Sequence, residues 1–167
     1  MMATKTLLFL ALVGASGAAS AAAAEDSPPP PAVFVQKAAQ DGMTEVELGK
    51  IALDKSQNAE IRNFAQRMVD DHSKANKELA SLASSRGIDA PKKLDAEHQA
   101  IVAEFKKADG AKFDSQYSHH MNMDHTKAIS LFEAESKASD QDLAGFAKKT
   151  LPTLKEHKQM AAKLPKS

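Results

Sequence analysis

Hydrophobic and polar positions follow a helical period along most of this chain. From about residue 33 onward, apolar residues recur at three- and four-residue steps, and strand-like alternation is scarce. Ala and Lys are the most frequent residue types, and both are strong helix formers, as are Leu and Glu. The pattern predicts helices over residues 33–55, 59–86, 95–107, 111–137 and 140–164, joined by short loops. Four long helices and one short helix predict an all-α fold, an antiparallel four-helix bundle with an additional short helix.

Individual residues mark the ends of these predicted helices. Asn58 precedes the second helix and is expected to cap its free N–H groups. Gly87 is expected to end that helix in the left-handed conformation that glycine adopts readily. Pro152 falls inside the last pattern, where its missing N–H is expected to kink the helix.

The first segment of the chain has the pattern of a targeting sequence. Residues 1–24 combine Lys5, an apolar run over 7–13 and a stretch of small residues, which predicts a cleaved signal peptide. The apolar run is too short to span a bilayer, which requires roughly 20 residues. Residues 25–32 form a proline-rich tether, and residues 33–164 form one helical domain. The expected location of the mature protein is therefore the periplasm, with no transmembrane segment.

Composition excludes several classes of function. The chain has equal numbers of basic and acidic residues, and removal of the signal peptide takes away one lysine, leaving a net charge of −1. That balance argues against a nucleic-acid partner and against a basic surface for anionic lipid. The absence of cysteine excludes disulfides and thiolate catalysis. Protein partners remain unknown at this stage, and loose association with the cell envelope is compatible with the sequence.

Three histidines on the apolar faces of three different helices are the candidate functional residues. They are His72, His125 and His157, each directly preceded by an acid. Met68 and Met121 lie one helical turn before the first two histidines, on the same faces. If these faces meet, imidazoles and thioethers line a common interior.

Two interpretations of this pattern are open. Imidazole binds copper, zinc and iron, and thioether favours copper(I), so these five residues are candidate metal ligands. Alternatively, the methionines fill the core and each histidine is hydrogen-bonded to a neighbouring helix. The acids beside the histidines point away from their own ring, and they either accept a hydrogen bond from a histidine on the next helix or stay solvated beside the interface. Tyr117 is expected to bond to a core histidine or to Glu45.

Other chemistries lack the residues that they require. A carboxylate-bridged di-iron bundle needs a Glu-x-x-His motif on two helices. The positions three before the core histidines hold Val69, Asn122 and Leu154, and Asp95 to His98 is the one acid-x-x-His match. The chain shows no pattern of a nucleophile with its base and no phosphate-binding loop. An oxidase of the di-iron type and a hydrolase are both disfavoured.

Several segments, in this order, resemble a bacterial family known as domain of unknown function 4142. They are Phe34–Ala39, Gly42–Gly49, Phe64–His72, Leu94–His98, Phe113–Tyr117, His125 and Thr150–His157. The resemblance covers about residues 33–164. It implies an exported protein with a ferritin-like helical bundle, and it implies no particular activity.

The leading prediction is an exported, non-enzymatic ferritin-like bundle of uncharacterised molecular function, in envelope or stress physiology. The alternative is a protein that binds a transition metal (copper, zinc or iron) through its core histidines. A third reading is a redox enzyme built on the same centre. The readings differ in geometry, because a metal site needs the three imidazole nitrogens to converge on one point.

Overall fold

The computed structural model describes residues 27–166 and contains five helices and no strand within them. The helices are α1 (Pro31–Lys55), α2 (Ala59–Ser85), α3 (Ala96–Lys107), α4 (Gly110–Glu135) and α5 (Gln141–Ala161). Each agrees with a predicted helix to within three residues at either end. The all-α fold class is confirmed. The predicted signal peptide and the start of the tether lie outside the described residues.

The helix ends are formed as the sequence indicates. The Asn58 side chain accepts hydrogen bonds from the backbone N–H groups of Glu60 and Ile61, at 2.8 and 3.2 Å. Gly87 adopts a φ of +66° directly after α2, which favours glycine. α5 continues as one helix through Pro152. These local signals therefore set where the helices begin and end, independently of how they pack.

Two antiparallel hairpins, α1–α2 and α4–α5, pack side by side. α1 also runs antiparallel to α4, since Phe34 contacts Phe132 near one end and Glu45 lies beside His125 further along. It follows that α2 and α4 point in the same direction. The segment between them, which carries α3, must therefore return along the bundle. α3 provides this return, because Gln40 of α1 contacts Lys93 just before α3 and Lys55 contacts Lys106 near its end. α3 therefore runs antiparallel to both α2 and α4, as the predicted antiparallel order of the five helices requires.

The hydrophobic core consists of two clusters, one toward each end of the bundle. One contains Phe64, Met68, Tyr117 and Met121, and the other contains residues such as Phe34, Leu79, Phe132 and Phe146. Each of the four long helices contributes residues to both clusters. Between these two sets of residues, each helix carries a buried polar residue. This polar layer consists of Glu45, His72, His125 and His157.

α1 packs closely against α2 next to this layer. Gly49 faces Ala65 and Val69, and a Cβ atom at Gly49 would come within 2.9 Å of the Val69 side chain and 3.0 Å of the Ala65 carbonyl oxygen. A larger residue would separate the two helices. The glycine thus keeps Glu45 of α1 close to His72 of α2.

Candidate metal centre

The three sequence-predicted histidines meet in the polar layer. One ring nitrogen of each lies within 4.8 Å of the corresponding nitrogens of the other two. The ring centroids are 5.3 Å apart for His125 and His157, 5.4 Å for His72 and His157, and 5.8 Å for His72 and His125. All three rings are buried, His125 and His157 almost completely. Among the described residues, this is the group of His, Cys, Asp or Glu side chains with the spacing of a metal site.

Two of the rings are oriented by a hydrogen bond to one nitrogen. His125 Nδ1 lies 2.8 Å from the carbonyl oxygen of Met121, and His157 Nε2 lies 2.8 Å from Asp71 Oδ2. Because a carbonyl and a carboxylate accept, each of these nitrogens carries the proton. The opposite nitrogens, His125 Nε2 and His157 Nδ1, then hold a lone pair. Both are buried and have no hydrogen-bond partner within residues 27–166.

The third ring, His72, is held less tightly. Its Nε2 atom is buried without a hydrogen-bond partner in the described chain, and Glu45 Oε2 lies 3.5 Å away. That separation is too long for a good hydrogen bond. Glu45 Oε2 is itself buried and without a partner. Each histidine therefore has one buried nitrogen whose bonding capacity is not used by the described residues.

Tyr117, in the neighbouring apolar cluster, does not form the hydrogen bonds that the core histidines lack. Tyr117 is fully buried, stacks on Phe113 and meets Phe64 edge-on. Its hydroxyl has no hydrogen-bond partner among residues 27–166. The expected bond to a core histidine or to Glu45 is therefore wrong, because the hydroxyl stops short of both.

Burial makes the neutral forms of these groups the stable ones. Desolvation, reinforced by the neighbouring rings, lowers the pKa of His72 well below its usual value. Burial also lowers the pKa of His125, to about 4, and that of His157, although Asp71 opposes the shift at His157. The same desolvation, together with nearby acids, raises the pKa of Glu45 well above its usual range. At neutral pH the layer thus presents uncharged imidazoles with available lone pairs.

The acids that precede the three histidines have different partners. Asp71 accepts the hydrogen bond from His157 on another helix, one of the two outcomes expected from the sequence. Asp124 instead pairs with His120 on its own helix, at 2.8 Å. Glu156 pairs with Arg67 at 2.7 Å on the surface, and Arg67 also contacts Asp71. Only Asp71 therefore has the position of a carboxylate that orients a metal-binding histidine.

The two candidate methionines lie in the apolar cluster that contains Tyr117. Met68 and Met121 are both fully buried there. Met121 contributes to the centre through its carbonyl oxygen, which fixes the His125 ring. The hydrogen bond that orients this ring thus comes from the backbone one turn earlier.

A cavity of about 480 Å³ leads to the polar layer from the surface. It extends from exposed side chains such as Lys37, Glu97 and Lys127 to the buried Glu45 and His72. Its inner walls are apolar and include Phe132 and Phe146 among others. The candidate metal centre is therefore buried but lies at the end of an opening.

Sequence reasoning missed the part that Glu45 plays in the layer. The apolar positions of α1 at helical spacing include Gly42, Val46 and Gly49, a pattern that leaves Glu45 out, whereas the structure buries Glu45 and leaves Val46 partly exposed. The spacing of Glu45 from the two glycines of α1 indicates its buried position. Glu45 lies three residues after Gly42 and four before Gly49, on the face where both glycines approach α2.

Comparison with known proteins supports the family assignment. Residues 15–164 match the sequence profile described as Domain of unknown function (DUF4142), which covers most of the chain. The chain belongs to this family. The matched range begins at residue 15, inside the predicted signal peptide. A comparison with curated proteins finds no match.

One solved structure has a similar fold. The crystal structure of a DUF305 fragment from Deinococcus radiodurans aligns with a TM-score of 0.70 and 17% sequence identity. The alignment covers 81% of this DUF4142 chain and 95% of that chain. At this identity the similarity shows a shared fold alone. Within residues 27–166, none of the helices has the length and apolar character needed to cross a membrane.

Proposed function

We propose that this DUF4142 protein binds one transition-metal ion through His72, His125 and His157, with copper, zinc or iron as the candidate metals. The observation that carries the proposal is the unused nitrogen on each ring. Three buried imidazoles, one from each of three helices, each keep a nitrogen without a hydrogen-bond partner in the described chain. Buried polar atoms in native proteins are normally paired, so three such atoms at one place point to a ligand.

The geometry fits a metal with a small movement of the rings. Zinc binds imidazole nitrogen at about 2.0–2.1 Å, and a triangle with 4.8 Å sides has its centre about 2.8 Å from each corner. Each ring therefore needs to move inward by less than about 1 Å on binding. The hydrogen bond from His157 to Asp71 matches the carboxylate–histidine–metal arrangement that fixes the ring and raises its basicity.

The donor set favours the copper and zinc end of the transition series. Neutral imidazole suits copper, zinc and iron, and divalent copper binds most tightly among the first-row ions. Met68 and Met121 belong to this proposal as auxiliary ligands, since a thioether selects copper(I). Their participation would distinguish a copper(I) site from a zinc site.

The alternative, in which the histidines serve packing alone, accounts for part of the observed contacts. It explains the bonds from His125 to the Met121 carbonyl and from His157 to Asp71. It does not explain the second nitrogen of either ring, or His72, which forms no hydrogen bond through its buried nitrogen. A purely structural role in the envelope is therefore the weaker of the two readings.

We also propose that the protein works in the periplasm, with loose envelope association compatible with its composition. The support is the signal-peptide pattern of residues 1–24. Fractionation of the native cells, with mass spectrometry of the mature N-terminus, tests this. Recovery of the uncleaved chain in the cytoplasm would contradict it.

The decisive experiment for metal binding compares two triple variants, because the chain contains six histidines. One variant carries His72→Gln, His125→Gln and His157→Gln. The matched control carries the same change at the other three histidines, His98, His119 and His120. Each full chain, purified without an affinity tag, is titrated with Cu²⁺, Zn²⁺ and Fe²⁺ and then examined by elemental analysis after dialysis.

We expect one equivalent of metal in the unmodified chain and in the control variant. The core variant should bind at least about 100-fold more weakly, because all three imidazole ligands are gone. Circular dichroism checks that it remains helical. Equal binding by the two triple variants, or no binding by the unmodified chain, would overturn the proposal.

A further inference from the structure

The cavity that leads to the histidines has an acidic lining. Five carboxylates face it, two lysines and His98 accompany them, and the remaining wall is largely apolar. The carboxylates are those of Asp41, Glu45, Asp95, Glu97 and Asp124. His98 lies 3.3 Å from Asp41 and 2.7 Å from Asp95. Burial keeps Glu45 neutral, so the charged lining consists of four carboxylates against two lysines and His98, and this small excess of negative charge favours a cation.

The acids continue from the mouth to the buried centre. Asp41 and Glu45 are four residues apart on α1, on the same face of the helix. The Asp41 side chain is about half exposed, whereas Glu45 is almost fully buried. Asp124 of α4 faces the same cavity and acts electrostatically on both of these acids. A cation would meet a carboxylate at the surface and another at the inner end.

The inner end carries two polar atoms without partners. Glu45 Oε2 and His72 Nε2 are both buried, form no hydrogen bond to residues 27–166 and lie 3.5 Å apart. This is too long for a hydrogen bond between them. It is close to the separation of about 3.4 Å between two ligand atoms that bind one tetrahedral ion at about 2.1 Å each.

We propose that the metal cation reaches the three histidines through this acidic cavity, and that Glu45 is the carboxylate that binds it first inside and passes it to His72. This inference rests on the proposed metal-binding function. Asp41 and Asp124 attract the cation to the mouth. Glu45 then releases its proton to water and coordinates the cation through Oε2, beside the unpaired nitrogen of His72.

A second opening provides the rival route. A cleft of about 140 Å³ between α2 and α5 is lined by Asp71, His72, Thr153 and His157 among others. It reaches His72 and His157, whereas the lining of the larger cavity includes only His72 of the three core histidines. It is smaller, and its two lysines balance its two acids, so it has no excess of negative charge to attract a cation. A test of the route must therefore block each opening separately.

The experiment measures the rate of metal uptake by stopped flow. The full chain is mixed with Zn²⁺ carried by a chromophoric indicator, or with Cu²⁺ if the titration selects copper. The variants are Asp41→Asn with Asp124→Asn, Glu45→Gln alone, and Ala128→Leu, which narrows the cavity. The controls are Asp54→Asn, an exposed acid on α1 outside the cavity, and Thr153→Leu, which narrows the second cleft.

We expect the association rate constant to fall about tenfold in the Asp41/Asp124 variant at low ionic strength, with a weaker dependence on salt. Glu45→Gln and Ala128→Leu should also slow uptake, while both controls take up metal at the unmodified rate. Each variant should still bind one ion at saturation through the three histidines. A carboxylate that only stabilised the fold would change the thermal midpoint without changing this rate.

The outcomes separate the two proposals. Uptake at the unmodified rate in all three cavity variants, or slow uptake in Thr153→Leu alone, would overturn the route and leave metal binding intact. Failure of the unmodified chain to bind metal would remove the proposed function and the route together.

Discussion

The histidines of this bundle fall into an interior group and a peripheral group, and the two groups differ in what their nitrogens contact. The interior rings of His72, His125 and His157 each keep one buried nitrogen without a partner. The peripheral ring of His98 has a carboxylate at both nitrogens, Asp95 at 2.7 Å and Asp41 at 3.3 Å. His98 therefore has a hydrogen-bond partner at both nitrogens, whereas each core ring lacks one at a buried nitrogen.

The two environments shift the imidazole pKa in opposite directions. Burial lowers the pKa of each interior ring. Burial also acts to lower the pKa of His98, but its hydrogen bonds to Asp95 and Asp41 outweigh this and raise it. A histidine with a raised pKa, such as His98, behaves as a cation at the surface. A neutral buried histidine keeps a lone pair on one ring nitrogen, and this difference favours metal ligation in the core alone.

The largest expected effect is a difference in protonation between the two groups. In the metal-free protein His125 should protonate near pH 4, whereas His98 should protonate above pH 6.5. Nuclear magnetic resonance of the ring nitrogens between pH 8 and 4 measures both. Titration of His125 near 6.5 would contradict the comparison.

The same shifts predict opposite dependences of stability on pH. The folded pKa of His125 is depressed, so its contribution is present above the unfolded value of about 6.5 and is lost as pH falls toward 4, by about 3 kcal/mol. His98 has a raised folded pKa, so its contribution is present below about 6.5 and is lost as pH rises through the folded value. Denaturant unfolding of His125→Gln and His98→Gln beside the unmodified chain separates the two.

A smaller effect is expected from the acids that neighbour the interior rings. Asp71→Asn should weaken metal binding by about 10- to 100-fold, because Asp71 orients His157 and raises its basicity. Asp70→Asn is the matched control, since Asp70 precedes Asp71 directly but is exposed and accepts a hydrogen bond from Gln66. Competition titration against a chelator of known affinity measures both. Equal weakening by the two changes would mean that surface charge, rather than ring orientation, supports the site.

Much of this architecture could be predicted from the sequence. The helices, their caps and the face that carries each histidine follow from local periodicity, which the structure reproduces to within a few residues. The contact between Asp71 and His157 was one of the outcomes expected for an acid at the edge of an apolar stripe. Asp124 has the equivalent position and pairs with His120 on its own helix, so the edge position alone does not decide the partner.

The remaining features depend on how the helices align along the bundle. Periodicity gives the face on which a residue lies but not its position along the bundle axis. It therefore could not show that Glu45 lies in the histidine layer, or that the Tyr117 hydroxyl forms no hydrogen bond to that layer.

The smallest expected effect concerns stability in the absence of metal. His72→Leu keeps a similar volume and removes a buried nitrogen that has no hydrogen-bond partner within the described chain. We expect it to raise the free energy of unfolding of the metal-free protein by about 1 kcal/mol, because an unsatisfied buried polar atom costs about 1–3 kcal/mol.

The matched change at the periphery should have the opposite sign. His98→Leu loses the hydrogen bonds to Asp95 and Asp41 and should lower the free energy of unfolding by about 1 kcal/mol. Chemical denaturation at pH 7 with a chelator present measures both changes. If His72→Leu instead destabilised the metal-free fold as much as His98→Leu does, the interior ring would have a structural partner after all. A gain in stability would mean that His72 is retained at a cost to the fold, as expected of a ligand.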